Sequence, residues 1–316
     1  LSKVRNTIAG LAALAAAALT SGCVAAGPDT PGVKVWDGAF DVRILPRGRS
    51  KGWRTGGLSG LEWDPQSEKL LAISDRGQAF HLAVDGKGLA EHVARLNAPR
   101  QMRDAEAIRR TPAGGWLVVY EDENAVAYYP GAPDRLARKP AWLRVIGVDA
   151  HQKRNRGIES MALLDFGRLL LITEGEAGRS AAFVFDPGSD GQGPVTARSY
   201  PSADDYSPVD AVGAPNGDVL VLERRFHGLA PPFFSARIAR IPADSLDNDA
   251  SGPLRVKGRI QLTPPMQHEN WEGIAIAPSP TGPRIWLISD DNMQWPQSTL
   301  LANLDLAEVL AALIEE

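Results

Sequence analysis

The chain has 316 residues, a formal net charge of −4 and a hydrophobic fraction of 44%. This mild acidity argues against a nucleic-acid backbone as partner, because such proteins carry a basic surface. Five scattered histidines and a single cysteine give no zinc-ligand spacing, so any metal is expected to be a hard cation held by carboxylate oxygens.

Lys3 and Arg5 precede an apolar, alanine-rich run at 8–19. That run has the length of a signal-peptide core and falls short of the roughly 20 residues of a membrane span. Thr20, Ser21 and Gly22 lead into Cys23, an ending that resembles the bacterial lipoprotein cleavage site. The resemblance implies cleavage before Cys23 and lipid attachment to it. Val24 in the next place, rather than Asp, implies sorting to the outer membrane, facing the periplasm. The alternative is an ordinary secretory signal with a chance cysteine. Residues 25–32, rich in Gly and Pro, read as a flexible tether. The expected division is a signal peptide at 1–22, a tether at 23–32 and one domain at 33–316.

Within that domain a unit recurs five times, roughly 45–60 residues apart, close to the ~40–50 of a propeller blade. Each copy opens with small residues around an acid, passes through a short apolar strand and a turn, and continues into a second apolar strand ending in another acid. The opening acids are Glu62, Glu106, Glu159, Asp210 and Glu272; the closing ones are Asp75, Glu121, Glu174, Glu223 and Asp290. Third, alternating strands are expected at 79–84, 125–129, 181–185, 236–241 and 299–304. Weaker fourth strands follow in most copies, at 92–96 and 254–262 for example. The last unit has no fourth strand of its own before a helical stretch at 307–316, and residues 40–45 can supply it. The predicted fold is all-β: a propeller of five four-stranded blades, with a sixth, degenerate blade left open, closed by strands from both termini so that no sheet edge is exposed.

Antiparallel pairing brings the start of one strand beside the end of the next. Glu62 is therefore expected beside Asp75, Glu106 beside Glu121, Glu159 beside Glu174, Asp210 beside Glu223 and Glu272 beside Asp290, all at one end of the channel. Carboxylates so placed need protons or cations. Calcium, which takes six to eight oxygens in loose geometry, suits such a ring. Arg76, Arg156 and Arg224 adjoin the acids and could hold an anionic oxygen ligand such as a phosphate ester. His151, His227 and His268 fall near blade ends and could move protons, His268 being the best placed. Trp53, Trp63, Trp271 and Trp295 could stack on a ligand or pack between blades. No G-x-S-x-G elbow, phosphate loop or dinucleotide fingerprint is present.

The segments Gly57-Leu58-Ser59-Gly60-Leu61-Glu62, Ala72-Ile73-Ser74-Asp75-Arg76-Gly77, Arg156-Gly157-Ile158-Glu159-Ser160 and Asn270-Trp271-Glu272-Gly273 together resemble the bacterial phytase-like family, described as having esterase-like activity of phytase. The resemblance spans nearly everything from 40 to 305. It implies a hydrolase of phosphate esters or related esters in a propeller, and true propeller phytases use calcium. The dense aspartate and lysine clusters of those phytases are not visible here, which argues against phytate itself. A looser resemblance is to gluconolactonase-like propellers with one central divalent metal.

Together these features predict a monomeric, calcium-dependent envelope hydrolase acting on a small anionic ester. Glu159, Glu272 and His268 would be its catalytic groups, and the membrane would be touched through the lipid anchor alone. The rival is a non-catalytic propeller lipoprotein that binds an envelope partner or small ligand, its acids purely structural, with the apolar, proline-rich loop at 228–234 as docking surface or lid.

Overall fold

The computed structural model describes residues 33–46, 48–85, 90–99, 102, 104–147, 156–175, 179–228, 234–247, 252–262, 269–293 and 297–314. Cys23, the signal segment, the tether, His151, His268, Trp295 and most of the 228–234 loop lie outside these. The described chain forms five blades. Blade 1 consists of Leu58–Asp64, Lys69–Ser74, Gln78–Leu82 and Glu91–Arg95. Blade 2 consists of Ala105–Arg110, Trp116–Tyr120, Ala125–Tyr129 and Trp142–Val145. Blade 3 consists of Ile158–Leu163, Leu169–Thr173, Ser180–Phe185 and Val195–Tyr200.

Blade 4 holds Ser207–Gly213, Val219–Phe226, Phe234–Ile241 and Arg259–Gln261, and gains a fifth, parallel strand, Val33–Val35, on its outer edge. That strand was not foreseen, and the fourth strand expected at 254–262 pairs only at Arg259–Gln261. Blade 5 holds Asn270–Ala277, Arg284–Asp290 and Leu300–Asp305, and its outer strand is Phe40–Ile44 from the other end of the chain. The expected closure by both termini is thus the one found, with five blades in the ring. The C-terminal helix Leu306–Ile314 starts at Asp305, whose carboxylate accepts the backbone N–H groups of Ala307 (2.9 Å) and Glu308 (3.2 Å) as an N-cap.

The first strand of each blade is innermost, and these five strands touch in sequence around the axis. The second strands of blades 2 and 3, Trp116–Tyr120 and Leu169–Thr173, are buried along their whole length because both faces are covered by neighbouring blades. Apolar residues gather into five clusters, one at each seam between adjacent blades. Trp271 is fully buried in the seam between blades 4 and 5, which settles it as a packing residue. At the axis the backbones come so close that small residues are required. A Cβ on Gly60 would meet Ile108 N at 2.8 Å, and one on Gly273 would meet Ser59 O at 2.4 Å.

Gly273 sits at the seam that the two chain ends close. Gly273→Ala is expected to cost about 1–3 kcal/mol through overpacking, lowering Tm by several degrees. Gly147→Ala, where nothing lies within 4 Å, serves as the control and should stay within about 0.5 kcal/mol of the parent. Equal melting curves for the two variants would show that the seam has slack.

Candidate active site

A β-bulge near the start of every inner strand sets which acids reach the axis. In blade 3, Ile158 pairs with Thr173 and Ser160 with Ile172, leaving Glu159 as the extra residue. The same irregularity releases Glu272 in blade 5 and Glu106 in blade 2. Bulges re-aim side chains, and these three carboxylates converge: Glu174, Glu106 and Glu272 all act on Glu159, and Glu272 of blade 5 acts on Glu106 of blade 2. Ser59 and Val209 fill the equivalent places in blades 1 and 4. One residue past the second strand stand Asp75, Glu121 and Glu174, with Asp290 in register beside them at the end of its strand. In blade 4 that place belongs to Arg224, opposite Ser207.

The register corrects three assignments. Glu62 pairs with Leu71, well inside its strand, so it does not stand beside Asp75. Asp210 pairs with Leu222, and Glu223 faces Pro208 instead. Glu62 and Asp210 lie around Arg109, which is almost wholly buried. The Arg109 guanidinium donates to Leu61 O of blade 1 (2.8 Å), Ala211 O (3.0 Å) and Asp210 Oδ1 (2.6 Å) of blade 4, and comes within 3.9 Å of Glu62. Asp210 also accepts Ile274 N of blade 5 at 3.0 Å. An ion-paired knot thus ties four inner strands. Glu223 points away from the other acids. It accepts hydrogen bonds from Tyr200 (2.6 Å), Arg259 (3.2 Å) and Arg237. Neither Glu62, Asp210 nor Glu223 is left free for a metal.

A further acid joins the mouth in their place. Asp104, Glu106 and Glu121 offer oxygens that lie within 4.8 Å of one another. Asp104 occupies the place that Gly57 and Gly157 hold in blades 1 and 3, and like Gly57 it has a left-handed backbone (φ 60° and 63°), a region Asp tolerates better than most residues. Its carbonyl receives Glu121 N (2.9 Å), as Gly57 receives Asp75 and Gly157 receives Glu174. Gly157 allows the close approach: its N–H donates to Glu121 Oε1 at 3.0 Å, and a Cβ there would strike Glu121 Cγ at 2.8 Å. Three hard oxygen donors at this spacing fit a divalent cation such as calcium.

The electrostatics match a crowded anionic basin. Burial, then Asp104, Glu272 and Glu121, push the Glu106 carboxyl well above the usual range; burial, then Glu174 and Glu106, do the same to Glu159. Burial raises Glu121 to about 7 and Asp290 to about 7. Asp75, Asp104, Glu174 and Glu272 are raised by burial as well, the last two against the pull of Arg224. Arg224 ion-pairs with Glu272, lies 3.9 Å from Glu174, donates to Asn270 Oδ1 at 2.5 Å and stacks over Phe234. Arg156 donates to Gly175 O and pulls on Glu174, while exposed Arg76 reaches Asp75 at 4.0 Å. All three predicted arginines therefore stand beside mouth carboxylates.

His227 binds Ser235 Oγ through Nε2 at 2.7 Å, a spacing suggestive of a nucleophile and its base. The donor order runs the other way. Gln261 donates its amide N–H to Ala236 O, so its oxygen accepts from Tyr206; Tyr206 then accepts from Ser235, and Ser235 accepts from His227. His227 is a donor here and cannot take the serine proton.

The mouth carboxyls bind protons more tightly in the folded chain than in the unfolded one, where ordinary values near 4 apply. Their contribution to stability is present below about pH 4 and is lost as pH rises through about 7. In EDTA, Tm should fall between pH 5 and pH 8, and added calcium should restore it most at the upper end. A metal-free Tm that climbs across this window would rule out the protonated basin.

The model of the Phytase-like family, described as "Esterase-like activity of phytase", matches residues 54–293, more than half of the chain. No curated protein matches. Among solved structures, a glucose dehydrogenase aligns with a TM-score of 0.48 and 12% identity, covering 84% of this chain and 99% of that one. A gluconolactonase from Xanthomonas campestris aligns at 0.43 and 11% identity over 79% and 73% of the two chains. The PQQ-bound aldose sugar dehydrogenase of Streptomyces coelicolor aligns at 0.41 and 14% over 84% and 98%. The family match takes in all four motifs and every mouth carboxylate named above, and the chain belongs to the Phytase-like family.

Proposed function

We propose that the channel mouth hydrolyses a phosphate ester or related anionic ester with the help of one divalent cation, calcium being the best match to its donors. The observation that carries this reading is the convergence of Asp104, Glu106 and Glu121 in a chain of an esterase-like family. These three would hold the cation, which would supply Lewis-acid polarisation of the ester and an activated water.

The protein's own groups do the rest. Arg224 is held charged by Glu272, Glu159 and Glu174, and with Arg156 and Arg76 it would receive anionic oxygens of the substrate. Glu159 accepts no hydrogen bond from the described residues, and burial, with Glu174 and Glu106 nearby, pushes its carboxyl well above the usual range, which favours the form that carries a proton. It would donate that proton to the departing alkoxide and recover it from water. Glu272, pinned by Asn270 at 2.8 Å and by Arg224, would orient the guanidinium rather than exchange protons.

The two kinds of carboxylate separate by mutation. Glu106→Gln or Glu121→Gln should abolish the calcium-dependent rise in Tm together with hydrolysis of an aryl phosphate or carboxylate ester. Glu159→Gln should keep the Tm rise and lower kcat by about 10²–10⁴-fold. Hydrolysis and calcium response unchanged in all three variants would sink the assignment. A calcium-dependent Tm without turnover on any ester would favour the non-catalytic binding propeller instead.

The envelope location rests on Cys23, which we propose is lipidated and holds a monomeric propeller at the outer membrane, facing the periplasm. Labelled palmitate should enter the wild-type protein expressed in a Gram-negative host and be absent from Cys23→Ser. Equal labelling, or none in either, would return the leader to an ordinary secretory signal.

A further inference from the structure

The mouth is not symmetric, and the asymmetry has one source. Four blades place an acid at or just beyond the end of the second strand: Asp75, Glu121, Glu174 and Asp290. Blade 4 places Arg224 there. The Arg224 side chain is directed into the basin, since three carboxylates from two blades act on it: Glu272 of blade 5, then Glu159 and Glu174 of blade 3. It is also a built feature rather than a loose surface cation. Asn270 accepts from Nη1 at 2.5 Å, Phe234 lies under the guanidinium with its ring centre 5.6 Å away, and the side chain is only 16% exposed.

Three carboxylates around one charged centre form the kind of oxygen cage that otherwise receives a divalent cation. On the opposite side, no cationic side chain of the described residues stands among the groups that act on Asp104, Glu106 and Glu121. The basin therefore divides into a half already neutralised by the protein and a half that is not.

We propose that Arg224 is a built-in counter-cation standing in the place of a second metal ion, so that the mouth binds a single divalent cation and binds it on blade 2. The inference rests on the cation reading above and deepens it by fixing stoichiometry and position. Removing the guanidinium would leave Glu159, Glu174 and Glu272 uncompensated and open to a second ion. In Arg224→Gln the substituted side chain would also offer its amide oxygen as a fourth donor.

The test is a calcium titration by calorimetry on the full folded propeller at pH 8, with circular dichroism verifying the fold of each variant. Wild type and Arg224→Lys should bind one equivalent, and Arg224→Gln should bind two. One equivalent in all three overturns the inference while leaving the cation site standing; none in wild type overturns the cation reading itself. Because Arg224→Gln could fold poorly, a second arm keeps Arg224 and removes its partners. The double variant Glu174→Gln/Glu272→Gln should still bind one equivalent, and loss of binding there would place the cation in the Arg224 half and overturn the proposal.

Discussion

Repulsion among carboxylates crowded around one axis is the constraint to which the rest of this structure answers. Two unit charges ~6 Å apart at an effective dielectric near 20 cost about 3 kcal/mol, and a whole domain is stable by only ~5–15 kcal/mol. Glu106, Glu159 and Glu272 at the bulges, with Asp75, Glu121, Glu174 and Asp290 beside them, exceed what such a fold could carry fully ionised. Three answers are visible. Arg109 is fixed among Glu62, Asp210 and the backbone carbonyls of Leu61, Ile108 and Ala211. Arg224 is fixed at the mouth. Elsewhere burial and mutual repulsion push the carboxyls up and favour their protonated forms. The first two are permanent, and the third is exchangeable. A basin whose charge is balanced by protons at neutral pH is one where a metal ion can displace them.

The crowding follows from how the ring closes. Five apolar seams pull adjacent blades together, and the inner strands meet with room only for glycine or other small residues at Gly60 and Gly273. Both chain ends take part, since Phe40–Ile44 completes blade 5 and Val33–Val35 covers the outer edge of blade 4. An uncovered outer edge would offer unpaired backbone groups to other chains. The apolar seams thus supply the stability against which the ionic centre is set, and the small inner residues that permit the seams also bring the carboxylates within reach of one another.

Most of the fold was legible because each blade repeats the same apolar second strand and the same small-acid opening. The closing role of residues 40–45 followed from counting strands. The site was legible in outline and wrong in register. Reading each acid as equivalent placed Glu62, Asp210 and Glu223 in the ring. Glu62 and Asp210 stand three and one residues beyond the bulge position, and Glu223 one residue before the mouth position. Such offsets turn a strand's side chain to the other face. Against the paired positions, Ser59 and Val209 are the true counterparts of Glu159, and Arg224 rather than Glu223 is the counterpart of Glu174. Asp104 went unseen because it stands before the motif, where blades 1 and 3 carry Gly57 and Gly157; an acid in a glycine's place was the available signal. Arg109 left no such signal, since only the folded ring brings its partners from blades 1 and 4 together.

The departures from the repeat matter more for function than the repeat itself. A ring of five identical acid pairs could hold a cation but would give an ester no preferred orientation. Blade 4 departs from the pattern with Val209 for an inner acid and Arg224 for an outer one, blade 1 with Ser59 for an inner acid, and blade 2 with Asp104 where blades 1 and 3 have glycine. On the proposed reading these changes make the basin polar: an unneutralised oxygen cluster on blade 2, a fixed guanidinium on blade 4, and between them blade 3, which carries Glu159. An ester bridging cation and guanidinium would then present its scissile bond to Glu159, whose carboxyl burial pushes up and which accepts no hydrogen bond from the described residues. Direction in such a site comes from where the sequence stops repeating, and the protein obtains it without adding any element to the propeller.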